Sequence, residues 1–160
     1  MATRSTIALE FADGTVEQVY CHWDGYLEHN GKILAEHYSN PFILRDLIDL
    51  GGLSSLRRDI GEKHAFSQFD LPKEEVEAFI NRTANMCTFY ARDRGEKLVA
   101  HKFVDFQDYL AHHSYEEYEY ILRQVEGKAV WFVCDHDGAY VELAQAIMDE
   151  EDRIAQEEME

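Results

Sequence analysis

Three pairs of strand-like segments, each folded about a short turn, constrain this chain more than anything else in it. In the first pair, Ile7, Leu9 and Phe11 alternate with Thr6, Ala8 and Glu10, the period of a half-buried strand. Asp13-Gly14 suits a two-residue turn with both central positions at positive φ, and Val16 to Trp23 forms the return strand. Apolar and polar residues mix on both faces of that return strand, which predicts cover on both sides or a bulge. The second pair starts near Met86 with Cys87-Thr88-Phe89-Tyr90, turns at Asp93-Arg94-Gly95-Glu96 and returns along Lys97 to Phe103. The third runs from Tyr118 to Arg123, around Glu126-Gly127, and back along Ala129 to Cys134.

Helical signals separate these pairs. Asp24 is read as the cap of a first helix whose stripe is Leu27, Gly31, Leu34 and Tyr38. Asn40 and Pro41 mark the start of a second, with Leu44, Leu47 and Ile48 on its buried side and Gly51-Gly52 at its end. A short helical turn is expected over Ser55 to Ile60, then a loop from Gly61 to Phe69. A third helix starts in Asp70 to Glu77, with Pro72 and acidic residues in its first turn, and ends near Ala84. Asp105 caps a short helix over Phe106 to His112, and Tyr140 to Glu160 reads as a last helix with Val141, Ala144, Ile147 and Met148 on one side. The predicted class is therefore α+β: a mostly antiparallel sheet built from three β-hairpins, with helices packed on one face. Residues 1–139 form a single domain, and residues 140–160 an acidic C-terminal helix that frays at its end.

Charge narrows the partners. The 160 residues carry 32 Asp and Glu against 15 Lys and Arg, a formal net charge of −17. Such a surface repels phosphate backbones and anionic membranes, which argues against direct nucleic-acid or membrane binding. Small molecules, cations and proteins with basic surfaces remain, and acidity also serves plain solubility. Cys21, Cys87 and Cys134 are few, odd in number and far apart, as reduced thiols are. With no apolar signal core in the first residues and no membrane-length run, the expected location is the cytoplasm.

The strings Ser5-Thr6-Ile7-Ala8, Val19-Tyr20-Cys21-His22-Trp23-Asp24-Gly25-Tyr26, Cys87-Thr88-Phe89-Tyr90 with Arg92-Asp93-Arg94-Gly95-Glu96, and Glu117-Tyr118-Glu119-Tyr120-Ile121-Leu122 resemble a family of small hypothetical proteins of phages, prophages and plasmids. The resemblance extends to about Val133 and leaves out the acidic C-terminal segment. It implies a mobile-element setting, and no activity, cofactor or catalytic residue comes with it.

The remaining candidates come from the residues themselves. Cys21 and His22, with Cys134 and His136, offer thiol and imidazole ligands for a metal. Neighbours on a strand point to opposite faces, however, and buried thiols beside structural histidines account for the same residues. The same alternation weighs against either cysteine as a nucleophile with a neighbouring histidine as base. Arg92 and Arg94 in a tight turn can hold an anion, with Trp23 and Asp24 completing a pocket; charges paired at a hairpin tip explain the turn equally. Glu116, Glu117 and Glu119, with Asp149, Glu150, Glu151 and Asp152, form a candidate acidic partner surface able to mimic a nucleic acid backbone, or a solvated strand face and helix end.

Two functions follow. One is a non-enzymatic phage or mobile-element accessory protein that inhibits or redirects a host protein with a basic surface. The other is a ligand-binding module or enzyme, built on Trp23, Asp24, Arg92 and Arg94, that acts on an anionic metabolite or nucleotide. Neither calls for a cofactor.

Overall fold

Strand β1 (Ser5–Glu10) is buried at every position, so it lies inside a sheet covered on both faces. The computed structural model describes residues 2–114, 116–135 and 138–159. On one side β1 pairs antiparallel with β2 (Val16–Cys21), Ile7 opposite Val19; on the other it pairs parallel with β6 (Tyr118–Val125), Ile7 opposite Tyr120. Beyond β6 follow β7 (Lys128–Cys134) and β8 (Tyr140–Glu142), both antiparallel to their neighbours. Beyond β2 lie β3 (Leu53–Ser55), parallel to it, and then β4 (Thr88–Phe89). The short β5 (His101–Phe103) pairs with the other end of β2. The sheet is α+β and mixed, mostly antiparallel with two parallel pairings.

Two of the predicted hairpins form. Between β1 and β2 the loop has three residues rather than two: Gly14 donates to Phe11, Phe11 to Thr15, and only Gly14 takes positive φ. Between β6 and β7, Glu126 (φ 51) and Gly127 (φ 80) make the tight two-residue turn. The middle hairpin does not form. Residues Tyr90–Arg94 coil into α4, closed by Gly95 at φ 73, while β4 and β5 pair with other strands.

Helices pack on both faces, not on one. The larger core sits between the face of Ile7, Leu9, Val19, Tyr120, Leu122 and Trp131 and three helices. These are α1 (Lys32–His37), α2 (Pro41–Ile48) and the start of α6 (Leu143–Met159). On the other face, Ala8, Val16 and Ile121 pack with Phe103 and with Tyr109 of α5 (Phe106–His112). Asn40 accepts from Phe42 N at 2.9 Å and Asp105 from Asp108 N at 2.7 Å, the caps expected for α2 and α5.

Other boundaries move. Asp24 caps nothing: a π-helical turn, Leu27–Gly31, leads into α1, and Asp24 itself sits at φ 57. Ser55 to Ile60 is extended, with Asp59 bridging Met86, rather than helical. A 3-10 turn, Lys73–Glu75, precedes α3 (Val76–Thr83), which ends where expected. Tyr140 to Glu142 adds a strand to the sheet before α6 begins. Among the described residues no helix is long and apolar enough to cross a membrane.

Candidate functional site

The loop Trp23 to Tyr26 continues from the C-terminal end of β2, and its backbone is held at nearly every step. Trp23 N donates to Ser54 O at 3.0 Å, extending the β2–β3 pairing. Buried Asn30 holds the next two carbonyls, with its side-chain amide 3.3 Å from Trp23 O and its backbone amide 3.2 Å from Asp24 O. Gly25 N donates to Thr3 O at 2.8 Å, and the buried Tyr120 hydroxyl to Gly25 O at 2.6 Å. A Cβ at Gly25 would stand 2.8 Å from that of Ser5, so only glycine allows this approach. Asp24 is left in the left-handed region, where an aspartate costs about 1 kcal/mol. The Trp23 indole meets His22 edge-on, centroids 4.7 Å apart, and stays 45% exposed.

Trp23 and Asp24 line a groove of about 440 Å3 together with Ser55, Arg57, Gln68 and Thr88. The structure thus unites two of the four residues expected at a pocket and supplies a different cation. Arg57 Nη1 donates to Ala84 O at 2.6 Å, and no carboxylate among the described residues pairs with it. Six of the nine arginines do pair with carboxylates: Arg58, Arg82, Arg92, Arg94, Arg123 and Arg153. Local composition does not mark Arg57, because Ser55 to Ile60 reads as a helical turn. Its one signal was an Arg-Arg pair in an acidic chain.

Arg92 and Arg94 are engaged elsewhere. The Arg92 guanidinium donates to Ile60 O (2.9 Å), Cys87 O (3.0 Å) and both oxygens of Asp93. The fully buried Asp93 carboxylate also accepts from Phe89 N at 2.8 Å and His64 N at 3.1 Å, with His64 Nε2 at 3.7 Å. This knot joins three segments behind the groove. Arg94 lies over Phe66 and Tyr90 and pairs with Glu96.

The candidate metal and thiol residues diverge. Cys21 and Cys134 lie on β2 and β7, with β1 and β6 between them, so their strands are about 14 Å apart. Cys21 faces the larger core, whereas Cys134 lies opposite Glu119 on the other face of the sheet. Burial pushes the Cys21 thiol up to about 12, which makes it a poor nucleophile. His22 turns away from Cys21, with Nδ1 2.7 Å from the Tyr20 hydroxyl. His136 lies outside the described residues, as do Tyr115 and Asp137. Among the described residues, no group of three or more His, Cys, Asp or Glu could hold a metal ion.

The acidic surface divides in two. Glu119 is not on it: this side chain is buried, with Oε1 2.5 Å from His113 Nδ1. Burial, reinforced by the charge of Glu116, pushes the Glu119 carboxyl up to about 7, and burial pushes the His113 imidazole down. Glu116, Glu117 and Glu119 line a separate cleft of about 530 Å3 that reaches Cys134 and Tyr140. Glu117 also accepts from Arg4 N at 2.9 Å. The helix acids lie elsewhere, on α6, whose first turn is anchored by buried Leu143. Lys32 of α1 bridges to Glu151 at 2.9 Å, with Glu28 and Glu36 close to the same ammonium. Beyond that contact α6 carries Asp149, Glu150, Asp152, Glu157 and Glu158 against its single cation Arg153, which pairs with Glu150 and Glu157.

No family model, curated protein or solved structure matches this chain.

Proposed function

We propose that this chain is a non-enzymatic accessory protein of a phage or related mobile element, which binds a host protein through that protein's basic surface and inhibits or redirects it. The observation that carries the proposal is the gathering of carboxylates along α6 and beside α1, far in excess of the cations among them. Most of those side chains are exposed, beyond a first turn of α6 anchored by buried Leu143. A field of that sign accelerates encounter with a cationic groove and fixes orientation, while it repels nucleic acid itself. A nucleic-acid-binding host protein is therefore the expected class of partner, with the helix acids standing where phosphates would lie.

The experiment is capture from host lysate with identification by mass spectrometry, followed by affinity measurements on the isolated pair. Binding should weaken by about tenfold or more between low and high salt. A variant with Asp149→Asn, Glu150→Gln, Glu151→Gln and Asp152→Asn should lose a comparable factor at low salt. A captured partner indifferent to both changes would show that charge on α6 does not drive binding.

A further inference from the structure

We propose that the groove beside Trp23 is a binding site for a mononucleotide, with the base stacked on the indole and the phosphate held by Arg57. A fixed, open ring comes first. Trp23 is nearly half exposed, yet the backbone on either side of it is tied to Ser54, Asn30, Thr3 and Tyr120. A surface tryptophan on a mobile loop would lose backbone entropy on stacking; this one rides on a backbone already held in place. Asp24, in the left-handed region next to a glycine that no other residue can replace, is the kind of over-determined position that collects at ligand sites.

The second component is an unspent cation. In a chain with twice as many acids as bases, most arginines have found a carboxylate, and Arg57 has none among the described residues. Its side-chain hydrogen bond among the described residues, from Nη1 to the Ala84 carbonyl, aims the guanidinium while leaving its other donors for an anion. Its backbone is anchored too: Arg57 O accepts from the Tyr38 hydroxyl at 2.7 Å and Arg57 N donates to Cys87 Sγ at 3.2 Å. Arg57 follows Ser54, the partner of Trp23 N, by three residues, so the backbones of Ser54 and Arg57 are at most about 11 Å apart, and Trp23 and Arg57 line the same groove.

The third component is the lining between them. Asp24 can accept from a sugar diol, and Ser55 and Thr88 add uncharged hydroxyls. An open ring face, a carboxylate acceptor and a single arginine, in about 440 Å3, suit a nucleoside monophosphate better than a peptide or a metabolite with two separate anionic groups. The site is separate from the acids of α6, so their neutralisation leaves it unchanged, and the two proposals stand or fall apart.

The test uses the full chain carrying Trp131→Phe, which makes Trp23 its one indole. The exchange is mild, because the buried Trp131 Nε1 lacks a hydrogen-bond partner. AMP, GMP, CMP and UMP are titrated while Trp23 fluorescence is followed, with the matching nucleosides and inorganic phosphate as separate arms. At least one nucleotide should quench Trp23 saturably with a dissociation constant below about 1 mM. Its nucleoside should bind about tenfold or more weakly, the share of a charge-assisted contact. Arg57→Gln should reduce the nucleotide to the level of the nucleoside and leave nucleoside binding intact, which also reports a folded groove. Three results overturn the proposal: no saturable quenching by any nucleotide up to about 10 mM, an unchanged nucleotide-to-nucleoside ratio in Arg57→Gln, or an equal loss in the remote variant Arg45→Gln.

Discussion

Asp93 shows how far a residue's role can lie from its local sequence. Arg92-Asp93-Arg94-Gly95-Glu96 has the composition of a hairpin tip, yet Asp93 is buried with partners at Phe89, Arg92 and His64. The contact with His64 spans 29 residues, and nothing in the local string announces it. Replacing Asp93 with Asn keeps the shape but strands the Arg92 guanidinium, and should cost about 3–5 kcal/mol, read from the urea midpoint. Glu119 and His113 make a second buried pair with a signature in pH. Glu119 binds its proton more tightly in the folded chain, so its contribution is complete below the ordinary carboxyl range and is lost as pH rises through about 7. His113, held neutral by burial, opposes folding as pH falls below 6.5, its ordinary value. That opposition fades over about a unit above 6.5, so the Glu119 loss is isolated by comparison with a chain that lacks the carboxyl. From pH 6.5 to 8 the melting temperature of the native chain should therefore fall relative to that of Glu119→Gln.

Among the elements, those with chemical punctuation of their own were legible. Asn40-Pro41 opens α2, Asp105 opens α5 and Glu126-Gly127 turns β6 into β7, because cap and turn geometry are satisfied within three or four residues. Asn40→Ala should accordingly cost about 1 kcal/mol by urea denaturation, since the side chain is exposed and its cap bond to Phe42 N is what it loses. Elements defined by a distant partner were not legible. Tyr140 to Glu142 has the apolar spacing of a first helical turn but is drawn into the sheet by β7, and Ser55 to Ile60 is stretched out between β2 and the Met86 segment. Half of the groove could be read for the same reason. Trp23 and Asp24 stand out in sequence, while Arg57 acquires its position only through Ala84 and Cys87.

At the scale of the whole molecule, charge and topology dominate. The net −17 is spread between core and C-terminal helix, so the folded state works against its own repulsion. Adding sodium chloride from low to about 0.5 M should raise the melting temperature, because screening acts on long-range repulsion more than on buried pairs such as Arg92–Asp93. A melting temperature that falls with salt would mean that surface pairs contribute more than repulsion removes. Topology bears on synthesis. The central strand β1 is bordered by β2, close in sequence, and by β6, whose Tyr118 lies opposite Ser5 across 113 residues. A ribosome releases the first hairpin early, but its other edge stays unpaired and its faces uncovered until β6 emerges. The entropy of closing so large a loop must be met before the pairing returns any stability. The nascent chain therefore spends most of its translation with a bare apolar strand, and the surplus of carboxylates gives that waiting intermediate a solubility its packing does not yet provide.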